Sequence, residues 1–163
     1  MKTKEEIFKS LIASDLGMLR AGAYRVLKDP NEADDAVQEA LIAAWKKFDQ
    51  FKGKSKLSTW VFQIMMNICF DRLRAAKRKS EKLQKLGTEI RKRHSETPDP
   101  RIDLMTEAVH ELSDPWKASL LLVFFRGMDS AEAAAELGFS VEKFYQIIHK
   151  AKQLLREKLQ VAI

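Results

Sequence analysis

The chain has 163 residues, with 29 Lys or Arg against 23 Asp or Glu, so its formal net charge is +6. Its six Gly and four Pro are about half the usual share of roughly 12%, which disfavours hairpins, Gly-rich phosphate loops and β-sandwiches. A lone Cys excludes an internal disulfide, the first 25 residues lack a signal-peptide apolar core, and no apolar run could span a bilayer. We therefore expect a helical, cytoplasmic protein without membrane insertion.

Charge alternates along the chain in long blocks. Residues 29–45 carry five acids and no Lys or Arg, whereas residues 46–94 carry fifteen bases and four acids. Residues 95–142 are acidic again, and the last segment is basic. This pattern is typical of a protein that binds nucleic acid at two places and a basic protein elsewhere, although solvated helix faces are the alternative.

Three helices are predicted in the first half. Apolar residues recur at three- and four-residue steps over residues 4–28, and Asp29-Pro30 ends that helix. Asn31 is the predicted cap of a second helix, whose apolar positions include Trp45. Residues 49–56 are basic and aperiodic and are predicted to form a loop. Ser58 or Thr59 then caps a third helix, which runs into the basic tract 72–79.

The second half is predicted to begin with a linker. Hydrophobic periodicity weakens over residues 77–103, and two Pro residues near the end of this stretch do not suit a helix. A short helix near residues 104–112 and a second one opening at Pro115 follow. From Ser130, an Ala-rich helix, Gly138 and a longer basic helix capped by Ser140 form a helix-turn-helix pattern, with a structural αα-hairpin as the alternative.

The predicted fold class is therefore all-α: two small helical domains joined by a flexible linker, the second a helix-turn-helix domain. The predicted boundaries are 1–76 for the first domain, 77–103 for the linker and 104–163 for the second domain. Cys69 lies in an apolar stretch and is predicted to be buried.

Nothing in the sequence indicates an active site. The three His residues are scattered, and none lies at metal-ligand spacing from a Cys or an acid. Asp34 and Asp35 are adjacent, so they point in different directions on a helix and do not form a catalytic carboxylate pair. We expect no catalytic residue, metal or cofactor, and no enzymatic activity.

A set of short motifs in the first half carries a family resemblance. Residues 31–40, Ala44-Trp45, 51–53, 57–60, Asn67 and 71–74 resemble, in order and spacing, domain two of bacterial sigma factors. The resemblance is greatest to the small extracytoplasmic-function group, and Leu112 to Leu159 is similar to that group's domain four. It implies promoter recognition as a dissociable subunit of RNA polymerase. The implied partners are core RNA polymerase, promoter DNA and an anti-sigma factor.

The resemblance assigns polymerase binding to the acidic second helix. The residues that fall on the family's matching positions are Asp34, Asp35, Gln38 and Glu39. Acids near a helix N-terminus also interact favourably with the helix dipole, which would explain them without a partner.

The basic loop and third helix match the family's reader of the upstream promoter-melting element. Lys and aromatic side chains together suit a single strand, and amide side chains can hydrogen-bond to base edges. Trp60 suits packing in the protein core equally well. Arg72 and Arg74 suit contacts to the DNA backbone more than contacts to the bases. The predicted DNA-binding residues of domain two are Lys52, Lys54, Lys56, Trp60, Gln63, Asn67, Arg72 and Arg74.

The second half departs from the family pattern in its recognition helix. Lys143 stands where relatives carry Thr, and Gln146-Ile147 stands where they carry Ser-Arg, so we expect a different promoter sequence. The predicted DNA-binding residues here are Ser140, Lys143, Gln146, His149 and Lys150. The predicted buried stripe comprises Phe144, Ile147, Ile148, Ala151 and Leu155.

Two other functions remain open at this point. A sigma-like mimic that sequesters an anti-sigma factor would explain the altered recognition helix, but it would have little use for the basic loop. A helix-turn-helix transcriptional repressor would leave the first 75 residues unexplained and would ordinarily need a dimer with two half-sites.

Overall fold

The computed structural model describes residues 1–86 and 100–162, and within them the side chains of residues 1–86 and 104–160. Over these residues the chain forms seven α-helices and no strand, which confirms the all-α prediction. The helices are α1 Lys4–Leu27, α2 Pro30–Lys46, α3 Leu57–Lys85, α4 Pro100–Glu111, α5 Trp116–Leu120, α6 Ser130–Leu137 and α7 Val141–Ala162. No helix in these stretches is long and apolar enough to cross a membrane.

The connection between α1 and α2 is set by Asp29. Its side chain accepts hydrogen bonds from the backbone N–H groups of Asn31 at 2.8 Å and Glu32 at 3.4 Å, and Pro30 is the first helical residue. The prediction that Asn31 caps α2 is therefore wrong. The cap thus lies two residues earlier than predicted, because Pro30, which has no N–H to satisfy, is the first helical residue and Asp29 precedes it.

The beginning and end of α3 also differ from the sequence prediction. The cap position is Lys56, which makes no side-chain capping bond, so neither Ser58 nor Thr59 caps this helix. Thr59 instead lies inside the first turn and is 1% exposed. The helix continues to Lys85, so the first part of the predicted 77–103 linker is helical, while residues 87–99 lie outside the described residues.

Helices α1, α2 and α3 pack on one another to form the first helical unit. Phe62, Met65, Met66 and Phe70 of α3 are buried in its core. At Gly22, α1 lies so close to α3 that an added Cβ would be 2.7 Å from Cε2 of Phe62. This close approach explains a Gly in the middle of a helix, where it otherwise disfavours the fold.

Helices α4 to α7 form the second unit. The apolar run after α5 continues as a π-helical segment, Leu121–Phe125, with Arg126 N–H bonded to the carbonyl of Leu121. Asp129 caps α6 by accepting from the N–H of Glu132 at 2.8 Å. Gly138 ends α6 in the left-handed conformation at φ 79°, and the Ser140 hydroxyl accepts from the N–H of Lys143 at 3.2 Å. The predicted helix-turn-helix is confirmed.

The two units are in contact along α3. Phe70 of α3 meets Phe125 edge to face, with ring centroids 5.9 Å apart. Buried residues of both units, including Val109 and Leu112 on the second, belong to one hydrophobic cluster. The C-terminal half of α3 is therefore both the last helix of the first unit and the surface on which the second unit lies.

Candidate polymerase-binding and nucleic-acid-binding surfaces

The four acidic and amide residues predicted on α2 have two different environments. Asp34 pairs with Arg20 of α1 at 2.9 Å, and Glu39 pairs with Arg72 of α3 at 2.8 Å. Asp35 and Gln38 are exposed, and neither makes a hydrogen bond or an ion pair with another described residue. Two of the four side chains thus help to hold the first unit together, while the other two are available to a partner.

Two apolar residues extend this free surface of α2. Ile42 is 56% exposed and Trp45 is 38% exposed, and both follow Asp35 and Gln38 at three- and four-residue steps. Trp45, predicted as a core position, has the Lys4 ammonium 4.2 Å from its ring centroid. Helical spacing alone did not predict this exposed surface. An apolar residue at the edge of the buried stripe repeats at the same spacing as one inside it, so spacing cannot tell the two apart.

The basic loop before α3 presents two exposed Lys side chains. Lys52 and Lys54 are exposed on either side of Gly53, whose φ of 70° needs a residue without a Cβ. Lys56 differs, since its backbone N–H donates to a Glu136 carboxylate oxygen of α6 at 2.9 Å, and its ammonium lies 3.9 Å from the same carboxylate.

One face of α3 carries most of the predicted domain-two contacts. Trp60, Gln63, Asn67 and Arg74 follow one another at three-, four- and seven-residue steps, so they lie along one side of the helix. Trp60 is half-buried against Phe51, with ring centroids 5.1 Å apart, so it packs on the loop and keeps part of its ring exposed. We call this set the α3 stripe.

Arg72 does not belong to the α3 stripe, because it turns toward Glu39 of α2. Its neighbour Cys69 is buried, as predicted. Burial raises the pKa of the Cys69 thiol to about 12, although the positive charge of Arg72 opposes that rise. The thiol is therefore protonated at neutral pH and serves as packing.

The second unit contacts the C-terminal part of the α3 stripe. Lys117 of α5 donates to the Asn67 side-chain oxygen at 2.5 Å. Arg74 lies 3.7 Å from the Glu107 carboxylate and 3.5 Å from that of Glu111, both on α4. Lys77, one turn further along α3, lies 3.6 Å from Glu107. The sequence analysis placed these residues on helices, except Lys77, which it placed at the start of the linker, and it did not predict that they meet.

His110 lies in the middle of this contact. Its Nε2 is 3.0 Å from the Asp71 carboxylate and its Nδ1 is 2.9 Å from the Lys117 ammonium. Burial lowers the pKa of His110, and the positive charge of Lys117 lowers it further, while Asp71 acts in the opposite direction. A neutral ring that donates to Asp71 and accepts from Lys117 satisfies both bonds.

The recognition helix α7 has the two faces that its sequence predicts. Phe144, Ile147, Ile148 and Ala151 are buried and Leu155 is half-buried, whereas Lys143, Gln146, His149 and Lys150 are exposed. A shallow groove of about 290 Å³ lies beside this face. It is lined by Pro115, Trp116, Phe139, Lys143, Gln146, Ile147 and Lys150. Ser140 lies at the start of α7, where its hydroxyl caps the helix.

Among the residues that the structure describes, no three His, Cys, Asp or Glu side chains are grouped so that they could hold a metal ion.

Comparison with known proteins agrees with this geometry. Residues 11–79 match the family Sigma-70 region 2, which covers most of α1, all of α2 and most of α3. SigW of Bacillus subtilis, an extracytoplasmic-function sigma factor, is 26% identical over 84% of this chain and 80% of its own length. SigG of Mycobacterium tuberculosis is 41% identical over 61 residues, which are 37% of this chain but only 16% of SigG.

A solved structure has the same fold over most of the chain. The sigma factor RpoE of Bartonella quintana, in complex with the anti-sigma factor NepR, matches with a TM-score of 0.50 and 26% identity. The match covers 94% of this chain and 97% of RpoE. In its all-helical fold and its Sigma-70 region 2 match, the chain is similar to bacterial sigma factors. The relatives bear the name of the extracytoplasmic-function group, so the resemblance seen in the sequence is confirmed.

Proposed function

We propose that this chain binds core RNA polymerase and directs it to specific promoters in the cytoplasm, without catalysing a reaction itself. The observation that carries the proposal is the pairing of two adjacent surfaces in the first unit. One is the free acidic and apolar surface of α2, and the other is the basic loop with the α3 stripe. Both lie within the Sigma-70 region 2 match.

The α2 surface suits a basic protein partner. Asp35 and Gln38 are exposed beside Ile42 and Trp45, so the surface offers charge and apolar area together. Exposed aromatic residues contribute more to protein interfaces than scattered charges do, because they bury a large rigid area. We assign core polymerase binding to this surface, with Asp34 and Glu39 contributing negative potential from their paired positions.

The loop and the α3 stripe suit melted promoter DNA. Lys52 and Lys54 can contact phosphates, the open part of the Trp60 ring can stack on a base, and Gln63 and Asn67 can hydrogen-bond to base edges. Arg74 lies further along the same face and suits the DNA backbone.

The helix-turn-helix unit suits a second, double-stranded promoter element. Its exposed residues Lys143, Gln146, His149 and Lys150 can reach a major groove, whereas Ile147 is buried and offers no bidentate contact to guanine. We therefore infer that the promoter element differs from the one that most relatives read.

An anti-sigma factor is part of this proposal. The similar RpoE structure is a complex with such a regulator, and small helical units leave apolar surface for one to cover. A pull-down that recovers polymerase and no second protein under non-inducing conditions would count against it.

The decisive experiment is in vitro transcription with purified core polymerase on a genomic promoter library. We expect initiation from a defined promoter set, and we expect this set to shift or weaken in the Lys143→Ala/Gln146→Ala variant. Glu157→Gln, an exposed α7 change away from the recognition residues, is the control and should leave the set unchanged. Core binding without any initiation would favour a mimic that sequesters an anti-sigma factor.

A further inference from the structure

The shallow groove beside α7 combines apolar and basic side chains. Trp116, Phe139 and Ile147 supply most of the apolar part. Ile147 is only 6% exposed, whereas Trp116 and Phe139 are half-buried, so each packs on the hydrophobic core and keeps part of its ring accessible. The groove therefore holds accessible apolar area directly beside the exposed residues of the recognition helix.

Hydrogen bonds within the backbone and to it fix the positions of the two aromatic residues. At the start of α5, the Asp114 carboxylate accepts from the N–H of Ala118 at 3.1 Å, and Trp116 lies between these two residues. In the turn after α6, the N–H of Phe139 donates to the carbonyl of Ala134 at 2.9 Å. Both rings are thus carried by ordered backbone, so little ordering is left to be done when a ligand binds.

The polar side chains of the groove suit DNA. Lys143, Gln146 and Lys150 are exposed, and none of the described residues that line the groove is acidic. Because these three residues follow one another at three- and four-residue steps, they lie along one side of α7. The proposed function turns this side toward a major groove, so a duplex that binds there also meets the apolar surface.

The thymine methyl group is the part of duplex DNA that fits this apolar surface. Among the four bases, only thymine carries an apolar group on its major-groove edge. The Gln146 amide can in addition hydrogen-bond to N6 and N7 of an adenine, the base that pairs with thymine. Cavities for whole ligands measure about 300–1,000 Å³. A shallow groove of about 290 Å³ is therefore better suited to a protruding methyl group.

We propose that this groove reads thymine methyl groups in the double-stranded promoter element, with Trp116 and Phe139 as specificity-determining residues. The inference rests on the proposed function, because it needs the second unit to bind duplex DNA. It adds a contact to A·T pairs that involves residues outside the recognition helix, since Trp116 lies on α5 and Phe139 lies in the turn before α7.

The first test changes the DNA and leaves the protein as it is. Holoenzyme made from the full chain and core polymerase selects its preferred duplex from a random library, and each thymine of that duplex is then replaced singly by uracil. Uracil pairs in the same way and lacks only the methyl group. We expect uracil to weaken binding about fourfold at one or two positions, which corresponds to about one buried methyl group at each. Competition against the labelled parent duplex measures this uracil penalty.

The second test assigns the uracil penalty to the groove. Trp116→Ala should lower the affinity for the parent duplex to that for the uracil duplex, so that the penalty disappears. Phe139→Leu keeps an apolar side chain in the turn and should reduce the penalty to about twofold, which tests the groove without emptying it. The matched control is Tyr145→Ala, which removes a ring of α7 that is 57% exposed and is not among the residues that line the groove. It should keep the full penalty.

The possible failures are distinguishable. Uracil that binds as well as thymine at every position of the selected duplex would overturn this inference alone, and so would a penalty that persists in both groove variants. Trp116→Ala holoenzyme that assembles poorly but keeps the penalty would assign the groove to a contact with polymerase. A wild-type holoenzyme that enriches no sequence would overturn the proposed function together with this inference.

Discussion

Asp35 is the residue on which the proposed polymerase docking depends most directly. It is exposed and unpaired among the described residues, unlike Asp34 and Glu39, so its full charge is available to a partner. We expect Asp35→Lys to weaken core polymerase binding by at least tenfold, because the reversal replaces an attraction across the interface with a repulsion.

The control for this change is Asp49→Lys. Asp49 is also exposed, but it lies beyond the end of α2, in the short 3-10 helix Phe48–Gln50. Binding measured by biolayer interferometry should be unchanged in the control. Equal affinity of Asp35→Lys and wild type would disprove the docking assignment.

His110 gives the molecule a pH dependence of known sign. Its pKa is lowered below the ordinary 6.5 by burial and by Lys117, with a further contribution from Arg74, and Asp71 only partly offsets this. The neutral ring therefore stabilises the folded chain. This contribution is complete above pH 6.5 and is lost as the pH falls through the lower pKa of the folded state.

We expect the urea midpoint of the wild type to fall between pH 7 and pH 5 more steeply than that of His110→Gln. His149→Gln, an exposed change on α7, should follow the wild type. Parallel curves for His110→Gln and the wild type would show that the ring does not titrate in this contact.

Hydrophobic periodicity predicted the burial of side chains best on helices with one clearly apolar face. The buried stripe of α7 and the burial of Cys69 are as expected, because these apolar residues also lie at helical spacing on one face. Ile12 fitted the same rule on α1 and is nevertheless 42% exposed. Spacing fixes the direction of a side chain, but not whether a neighbouring helix extends far enough to cover it.

At the scale of the elements, helices were predicted well and their caps less well. Asp29 rather than Asn31 caps α2, and no side chain caps α3. Any of several polar residues near a helix start can serve as a cap, so the choice depends on backbone geometry that the apolar pattern does not encode. The continuation of α3 to Lys85 was missed because exposed charged residues carry no hydrophobic period.

Two glycines of α1 provide a matched test of helix packing. Gly17 has open space where a Cβ would lie, whereas a Cβ at Gly22 would be 2.7 Å from Phe62 and 3.2 Å from Met65. We expect Gly17→Ala to raise the free energy of unfolding by about 0.5–1 kcal/mol through helix propensity. Gly22→Ala should lower it by about 1–3 kcal/mol through overpacking.

Urea denaturation of the two variants measures both effects under the same conditions. The opposite signs separate packing from propensity, because the substitution and the helix are the same. A stabilising Gly22→Ala would mean that Phe62 moves aside easily and that α1 and α3 do not pack as closely as described.

At the scale of the whole molecule, the charge blocks partly neutralise one another. The charge pattern predicts that the basic block 46–94 faces nucleic acid and lies next to an acidic surface. Three acids of the later block, Glu107, Glu111 and Glu136, contact Arg74, Lys77 and Lys56 directly. The sequence gives the sign and position of each block, but it cannot show which blocks meet across a linker.

This neutralisation should appear in the salt dependence of DNA binding. When Arg74 or Lys77 leaves a carboxylate and binds a phosphate, the DNA releases a cation but the freed carboxylate attracts one. The net release of counterions is therefore small. Freeing both bases should steepen the slope of log affinity against log salt by up to about 1.4, at roughly 0.7 per phosphate of a single strand. Anisotropy titrations of a fluorescein-labelled DNA single strand at several KCl concentrations measure this difference. They compare Glu107→Gln/Glu111→Gln with the control Glu132→Gln/Glu157→Gln, which removes two exposed acids of α6 and α7. Identical slopes would mean that neither base contacts DNA.

The contact between α3 and the second unit has a consequence for how the chain responds to its own concentration. Both sides belong to one polypeptide, so the contact forms within each molecule and does not depend on protein concentration. Dilution does not separate the two units, and overproduction does not saturate the contact. An anion that replaces Glu107 and Glu111 at Arg74 and Lys77 therefore meets the same competition at every level of expression.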